Sequence, residues 1–277
     1  MRLESKIINQ KINNGDVIFN FIVKRNSIIF LFLSLLVFVL FALDLVSGDS
    51  ALSVGQVWNV FTGNETDMTT RNIVLSIRLV RVIVAVLIGV ALSISGLQMQ
   101  TVFRNPLAGP SVLGISSGAS MGVAFVVLLS GSLGGVALSK LGFMGEIALS
   151  IAAVIGSLSV MALIVYVSQK VKGNVTLLII GVMIGYVANA VIGVLKFFSV
   201  EEDIRAYVIW GLGSFSRVSG NQMMLFVAIM AILIPLSFLL IKTLNLMLLG
   251  DGYARNLGLN IKRARLLVIT SAGVLTA

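Results

Sequence analysis

The sequence predicts an all-α fold, a polytopic bundle of membrane-spanning helices. Of the 277 residues, 58% are hydrophobic and only 11% are charged, whereas a soluble domain carries roughly 25% charged residues. The apolar residues come in runs of about 20, which is the length that crosses a bilayer as a helix. Polar segments separate these runs. We therefore expect lipid to be the solvent for most of this chain.

Two regions are predicted, a polar arm at residues 1–26 and one transmembrane domain at residues 27–277. The arm carries five basic residues and has room for a short amphipathic helix. No small-residue cleavage site follows the first apolar run, which differs from the pattern of a cleavable signal peptide. We expect the arm to lie in the cytoplasm.

About seven spans are expected, and the seventh begins at Leu266 and is cut off at Ala277. Pro235 should kink the sixth span, because proline removes a helix hydrogen bond. Two short segments, 53–61 and 206–213, are expected to form helices at the outer interface. The other spans are expected from 27 to 46, inward from 78, outward to about 130, and at about 143–168, 176–198 and 221–241.

The basic residues predict the orientation. Thirteen of the 20 Lys and Arg residues lie in segments assigned to the inside and seven lie outside, as the positive-inside rule requires. The N-terminus is therefore predicted to be cytoplasmic, in a multi-pass protein of the cytoplasmic (inner) membrane. The net charge of +9 does not indicate a nucleic-acid partner, because the basic residues are scattered between apolar runs.

A helix break is expected after the second span. The 22 residues between Arg81 and Arg104 carry no charge and can form one span. The prolines that follow lack a backbone donor and restrain the residue before them. Asn105, Pro106 and Pro110 are therefore predicted to form a hinge between the second and third spans.

Small residues recur at four-residue spacing on the third and fifth spans. This spacing places them along one helix face, where another backbone can approach closely. For the fifth span two explanations stay open, namely tight helix packing and the lining of a translocation path. The residues concerned are Gly114, Gly118 and Gly122 on the third span and Gly181, Gly185, Asn189 and Gly193 on the fifth.

The motifs RLxR, SGxxxQ, NPLA and LGISSGA follow one another from Arg78 to Ala119. In this order they resemble the permease subunit of ABC importers for iron-siderophores, haem and vitamin B12, and the resemblance extends to about residue 265. It implies a permease that moves a ferric siderophore, haem or a corrinoid in an ATP-driven cycle. The implied partners are a second permease copy, an ATP-binding cassette ATPase subunit and a periplasmic or lipid-anchored substrate-binding protein.

The same family has about ten spans, so this chain is expected to be a truncated gene product or a fragment. An inactive fragment of a permease therefore stays an alternative to a working subunit. An ion-coupled secondary carrier is the other alternative, and the lack of acids and bases near the middle of any span argues against it.

The inner loop at about 242–265 carries a further motif of this family. Its LGxxxAxxLG pattern resembles the cytoplasmic coupling helix, a short helix that inserts into a cleft of the ATPase subunit and transmits its closure. An ordinary positive-inside loop is the alternative, and Gly252 is a less helical residue than the pattern favours. The residues concerned are Leu249, Gly250, Asp251, Ala254, Arg255, Leu257 and Gly258.

Arg78 and Arg81 lie three residues apart at the predicted outer end of the second span, on one helix face. Two outer arginines run against the charge bias of the chain. The resemblance implies that the binding protein docks on them through paired carboxylates. Snorkelling of both side chains into the lipid headgroups is the alternative.

No residue pattern supports catalysis or a bound cofactor. Cysteine and histidine are absent, so a thiol nucleophile, the commonest general base and the commonest transition-metal ligand are missing. No catalytic residue, metal ligand or cofactor is therefore expected, which disfavours a membrane enzyme. The phosphate-binding pattern GxxxxGK[ST] is also absent, so ATP hydrolysis is expected in a separate subunit.

Overall fold

The computed structural model describes residues 2–48, 50, 52–64, 67–132, 143–171, 174–215, 218 and 220–277. Every regular element within these ranges is helical. The chain divides into two compact units, Met1–Val82 and Ile83–Ala277, and each is described by itself. The predicted all-α class is confirmed.

The first unit begins with one long helix, α1 (Arg2–Val46), so the predicted arm and first span are continuous. A second helix, α2 (Val54–Thr62), occupies the predicted interfacial segment. Ser53 and the side chain of Gln56 form a reciprocal capping box at its start, and Gly63 ends it in the left-handed conformation, which glycine adopts without a Cβ penalty. The helical prediction for this segment is confirmed.

The helix that carries Arg78 begins ten residues before the predicted start. Its first turns, α3 (Met68–Asn72), follow Asp67, whose carboxylate accepts two backbone N–H hydrogen bonds at the helix start. A π-helical turn (Ile73–Arg78) then leads without a break into α4 (Leu79–Phe103). The cap at Asp67 sets the start of this helix, so Arg78 lies inside a helical rod and not at its end.

The second unit contains the remaining helices. It includes a 3-10 turn (Pro110–Leu113) after α4, and its longest helices are apolar. The elements are α5 (Ile115–Ser132), α6 (Phe143–Lys170), α7 (Asn174–Phe198), α8 (Glu201–Gly211), α9 (Gly220–Phe238), α10 (Ile241–Leu248), α11 (Asp251–Asn256) and α12 (Ile261–Thr276). The predicted outer segment at 206–213 overlaps α8, which starts at Glu201 with three acidic residues in its first turn, where they complement the helix dipole.

Four helices in the described part of the chain are long and apolar enough to cross a membrane. They are Val23–Val46, Met68–Phe103, Ile147–Lys170 and Val175–Phe198, and the bent pair Gln222–Phe238 with Ile241–Leu248 is a fifth if it counts as one span. The third predicted span corresponds to the shorter apolar stretch Ile115–Leu129. The seventh corresponds to α12, which has 16 residues.

The predicted kink of the sixth span lies four to five residues beyond the proline. Pro235 sits inside α9, and the chain turns by 44° across the break between Phe238 and Ile241. At the break, Leu239 and Leu240 donate to the carbonyls three residues earlier, at 3.2 and 3.1 Å. The bond that Pro235 cannot make lies one turn before the proline, so the tightened hydrogen bonds after it are what end α9 and redirect the chain into α10.

The glycine face of α5 packs backbone-to-backbone against α6. A Cβ on Gly118 would lie 2.6 Å from the carbonyl oxygen of Gly156, and a Cβ on Gly122 would collide with the carbonyl oxygen of Ala152. A Cβ on Gly156 would in turn collide with the carbonyl oxygen of Gly118. The predicted close approach along this face is therefore confirmed, and α6 is the neighbour that uses it.

Leucine at Gly122 is expected to destabilise the helix pair, because the added side chain meets backbone that cannot move aside. Overpacking of this kind costs about 1–3 kcal/mol or more. Gly89→Leu on α4 is the matched control, since a Cβ there meets nothing within 4 Å. The measurement is the thermal unfolding midpoint of purified protein in detergent. Equal midpoints for Gly122→Leu and Gly89→Leu would contradict this packing.

Polar side chains connect α4 and α12 inside the second unit. The hydroxyl of Ser95 donates to the carbonyl of Ala272 at 2.9 Å, and the amide of Gln98 donates to the hydroxyl of Ser271 at 3.1 Å. Ser95 and Gln98 are both buried. Interhelical hydrogen bonds of this type add specificity to helix packing in lipid, where apolar contacts alone provide little preference.

Candidate functional site

The break after α4 is built by backbone geometry that a straight helix cannot adopt. Arg104 follows the last residue of α4 with φ 49°, a left-handed value that is uncommon for a non-glycine residue. The side-chain oxygen of Asn105 accepts a hydrogen bond from the backbone N–H of Leu107 at 2.9 Å. Pro110 then opens the 3-10 turn. The predicted break at these residues is present, and its role as a moving hinge stays a prediction.

Two glycines delimit the short helix in the predicted coupling loop. Gly250 precedes α11 with φ 107°, and Gly258 follows it with φ 87°. Residues that carry a Cβ rarely adopt these backbone angles. Ala254 is fully buried, and its backbone N–H donates to the carbonyl of Gly250 at 2.9 Å. A short helix therefore occupies the predicted position, with Gly252 accommodated inside it.

One side of this helix is apolar and uncovered. Leu249, Tyr253 and Leu257 recur every four residues and are 59%, 72% and 61% exposed. We call these three side chains the docking face. Apolar side chains grouped in this way on a short exposed helix are typical of a site for a protein or membrane partner.

Three charged side chains meet beside the docking face. The carboxylate of Asp251 accepts a short hydrogen bond from the guanidinium of Arg104. Its second oxygen lies 3.8 Å from the guanidinium of Arg265. Arg104 and Asp251 are about two-fifths exposed, whereas Arg265 is buried. Sequence reasoning included Asp251 in the coupling motif but missed both arginines as its partners, since nothing in the local pattern pairs residues so far apart.

The small residues of α7 border a cavity of about 220 Å³. No charged side chain lines it in the described part of the chain. Three of the four residues predicted for the path, Gly181, Gly185 and Asn189, lie in its wall, whereas Gly193 is exposed outside it. The other lining residues are Ser111, Val112, Gly114, Val182 and Tyr186.

The two glycines of α7 in the cavity wall differ in the space around them. A Cβ on Gly181 would lie 2.9 Å from both the Cα of Leu113 and the carbonyl oxygen of Val112. A Cβ on Gly185 would meet the hydroxyl of Ser117 at 3.4 Å and the Cα of Gly114 at 4.0 Å. Packing therefore explains Gly181, while Gly185 leaves open space in the cavity.

The two predicted docking arginines have different environments in the first unit. Arg78 is 2% exposed, and its guanidinium donates to the carbonyls of Leu45, Val46 and Ser50 at 2.9, 2.6 and 2.5 Å. Arg81 is partly exposed and pairs with Asp44 at 2.9 Å. Contacts within the chain thus account for Arg78. Docking through these arginines stays a prediction.

A buried carboxylate lies at the start of α8. Asp203 is 5% exposed, and burial raises its pKa, with a smaller contribution from the like charge of Glu202. One of its carboxylate oxygens has no hydrogen-bond partner among the described residues. Sequence reasoning missed this group, because three consecutive acids at a helix start usually face water.

The sequence matches one family of membrane transport proteins and several of its members. The FecCD transport family matches residues 35–277. The hemin transport system permease protein HmuU of Yersinia pestis is 34% identical over 229 residues, covering 82% of this chain and 65% of that protein. A "Probable iron chelatin transport system permease protein" of Helicobacter pylori is 38% identical over 224 residues, covering 80% and 64%.

Two further comparisons agree with these. The vitamin B12 import system permease protein BtuC of Photorhabdus laumondii is 34% identical over 226 residues, covering 81% of this chain and 64% of that protein. A solved structure of a metal-chelate type ABC transporter in an inward-facing conformation matches with a TM-score of 0.73 and 26% identity, covering 90% of this chain and 73% of that one. The chain thus spans just under two thirds of the length of the three curated relatives compared here.

Proposed function

Because the chain belongs to the FecCD transport family, we propose that it acts as the permease subunit of an ATP-driven ABC importer. The observation that carries this proposal is the short helix α11 between two left-handed glycines, with the apolar docking face uncovered on its surface. That face fits a cleft of an ATPase subunit. Family membership favours an importer over an ion-coupled secondary carrier.

The proposed cargo is a chelated metal, either a ferric siderophore, haem or a corrinoid. The relatives' names refer to hemin, iron chelatin and vitamin B12. The cavity beside α7 is lined by neutral residues, and the described residues hold no group of three His, Cys, Asp or Glu side chains suited to a metal ion. Such a wall suits a metal whose charge and ligands the chelator already satisfies, whereas a bare cation would need oxygen or nitrogen ligands. Ferric siderophore is our first choice within this class.

The proposed assembly is a permease dimer with ATPase subunits inside and a substrate-binding protein outside. The chain would be a non-enzymatic transport subunit of the inner membrane with its N-terminus in the cytoplasm. The bias of basic residues toward the inner segments supports this orientation. The coupling loop would then lie on the ATPase side.

The function is tested by co-expression with an ATP-binding cassette ATPase subunit and a substrate-binding protein of this importer class. Purification through a tag on this chain should retain the ATPase. Proteoliposomes should accumulate ferric siderophore, haem or a corrinoid only when ATP is present on the side of the membrane where the ATPase is bound. Accumulation driven by an ion gradient without ATP would overturn the proposal in favour of a secondary carrier. Absence of both ATPase binding and uptake would indicate an inactive fragment.

Docking on the outer arginines predicts a charge-dependent affinity for the binding protein. Arg78→Glu with Arg81→Glu should weaken docking strongly, because losing one partner of a desolvated ion pair costs about 2–5 kcal/mol. The loss should be larger at low salt, where screening is least. Binding-protein affinity in nanodiscs at two ionic strengths is the measurement.

Single changes separate docking from folding. Arg78→Glu should lower the thermal midpoint, since it removes donors from three carbonyls around a buried side chain. Arg81→Glu should weaken docking and lower the midpoint less than Arg78→Glu, because Arg81 is partly exposed and has one ion-pair partner, Asp44, in place of three buried carbonyls. Arg71→Glu, another exposed outer residue, is the control. If Arg81→Glu and Arg71→Glu bind the partner equally well, Arg81 only anchors the helix.

A further inference from the structure

We infer that Arg104 is a positioning residue that joins the coupling helix to the wall of the cavity through Asp251. The inference rests on the proposed function, because it assigns the route by which movement of α11 reaches the cargo. The coupling motif ends at Gly258, and its Asp251 needs partners outside the motif to connect it to the membrane helices. The structure supplies one in the side chain of Arg104.

Arg104 contacts both helices of the coupling loop. Its guanidinium donates to the carboxylate of Asp251 at the start of α11 and, at 3.4 Å, to the carbonyl of Met247 near the end of α10. Met247 is buried in the same apolar cluster as Phe103. One side chain at the end of α4 thus holds the junction between α10 and α11 from two directions.

Arg104 makes these contacts from a backbone conformation that is unfavourable for a non-glycine residue. Among the described residues it is the one non-glycine residue with positive φ, a conformation that costs of order 1 kcal/mol or more and persists when surrounding contacts impose it. Asparagine or glycine would adopt this conformation more easily. The ion pair with Asp251 and the bond to Met247 are contacts that only a long cationic side chain can make here.

The turn that begins at Arg104 leads directly into the cavity wall. After Pro110, the 3-10 turn places Ser111 and Val112 beside the cavity. Leu113 in the same turn packs against Gly181 of α7, which also lines the cavity. A shift of α11 that pulls on Arg104 is therefore transmitted along the short segment 104–113 to the residues that border the cavity.

Arg265 fixes the other side of Asp251. It lies in the first turns of α12, is 7% exposed, and its Nε has no hydrogen-bond partner among the described residues. Asp251 thus lies between two arginines, so the cluster holds two basic side chains and one acidic one. The buried arginine provides a fixed anchor, and the half-exposed Arg104 provides the moving connection.

Partner docking should strengthen this connection. Arg104 and Asp251 keep about two-fifths of their side-chain surface in water, where an ion pair contributes little. An ATPase subunit seated on the docking face would exclude that water, and the attraction between the charges rises as the local dielectric constant falls. The ion pair would then be strongest in the assembled complex, when transmission is needed.

The test compares Arg104→Gln, Arg104→Lys and the control Arg263→Gln in proteoliposomes that contain the ATPase. Arg263 is an exposed residue in the first turn of α12 outside this cluster. The measured quantities are ATPase affinity, ATP hydrolysis and cargo transported per ATP. Arg104→Gln should leave ATP hydrolysis at saturating ATPase near the parent value and weaken ATPase affinity, because the ion pair that docking strengthens is lost. It should also lower transport per ATP, by an amount within the range of about 5- to 150-fold typical of coupled sites. Arg104→Lys should restore part of the loss, because it keeps the charge.

A double-mutant cycle identifies Asp251 as the partner. Asp251→Asn should lower transport per ATP in the parent, and the additional effect in the Arg104→Gln background should be much smaller, since the interaction is already lost. Additive effects, or transport per ATP that is equal for Arg104→Gln and Arg263→Gln, would overturn the inference. A parent chain that binds no ATPase and transports nothing would instead refute the proposed function. The cycle measured on thermal midpoints of the purified permease would then still report whether the pair forms.

Discussion

Proline at Ala254 is expected to abolish uptake while the protein still inserts into the membrane. The backbone N–H of Ala254 donates to the carbonyl of Gly250 at 2.9 Å within α11, and proline removes this bond and clashes with the preceding turn, at a cost of about 3 kcal/mol or more. Ala254 is also fully buried, so the larger ring has no room. With only six residues, α11 has no other turn that could compensate.

The assay follows uptake, ATPase binding and membrane insertion for Ala254→Pro in the co-expressed complex. Lys262→Pro is the matched control, because it places a proline in the exposed first turn of α12, where its N–H lies outside the helix hydrogen-bond ladder. Insertion should be normal for both variants, and uptake should be lost only with proline at Ala254. Unchanged uptake and unchanged ATPase binding in Ala254→Pro would refute the assignment of residues 250–258 to coupling.

Leucine at Gly185 is expected to block uptake without destabilising the protein. Gly185 lies in the wall of the cavity, and a Cβ there meets the hydroxyl of Ser117 and the Cα of Gly114, both at ordinary contact distance. The leucine side chain would therefore extend into open space of about 220 Å³ and occupy part of it. Yield and thermal midpoint should match the parent, whereas uptake of the chelate should stop.

Two further leucine variants on α7 show whether the loss of uptake is specific to position 185. Gly181→Leu should lower yield and thermal midpoint, because its side chain collides with the backbone of the 3-10 turn. Ala190→Leu adds the same bulk at an exposed position outside the cavity and should change neither stability nor uptake. If Gly185→Leu is normal in yield, stability and uptake, Gly185 belongs neither to helix packing nor to the path. The same comparison on Gly193 shows whether the path extends beyond the cavity.

Much of the candidate site follows from local sequence chemistry. The prolines at 106 and 110 predicted the break after the second span, and the structure has it there. Gly250 and Gly258 mark the two ends of the predicted short helix, because few residues other than glycine easily adopt the backbone angles found there. Four-residue spacing identified the faces of α5 and α7. It could not separate packing from a path, since both uses favour small residues.

Amino-acid sequence alone determined the class of this protein, its membrane character and its family motifs, because hydropathy, proline breaks and glycine spacing act within a few residues. The start of the second-span helix was predicted ten residues too late, although the cap at Asp67 that sets it is a local signal. Only the tertiary structure decided that Arg78 is buried against three carbonyls of its own chain, and that Gly181 packs while Gly185 borders a cavity. It also paired Arg104 with Asp251, 147 residues apart. Contacts over such distances depend on how the helices pack against one another, and no local pattern carries that information.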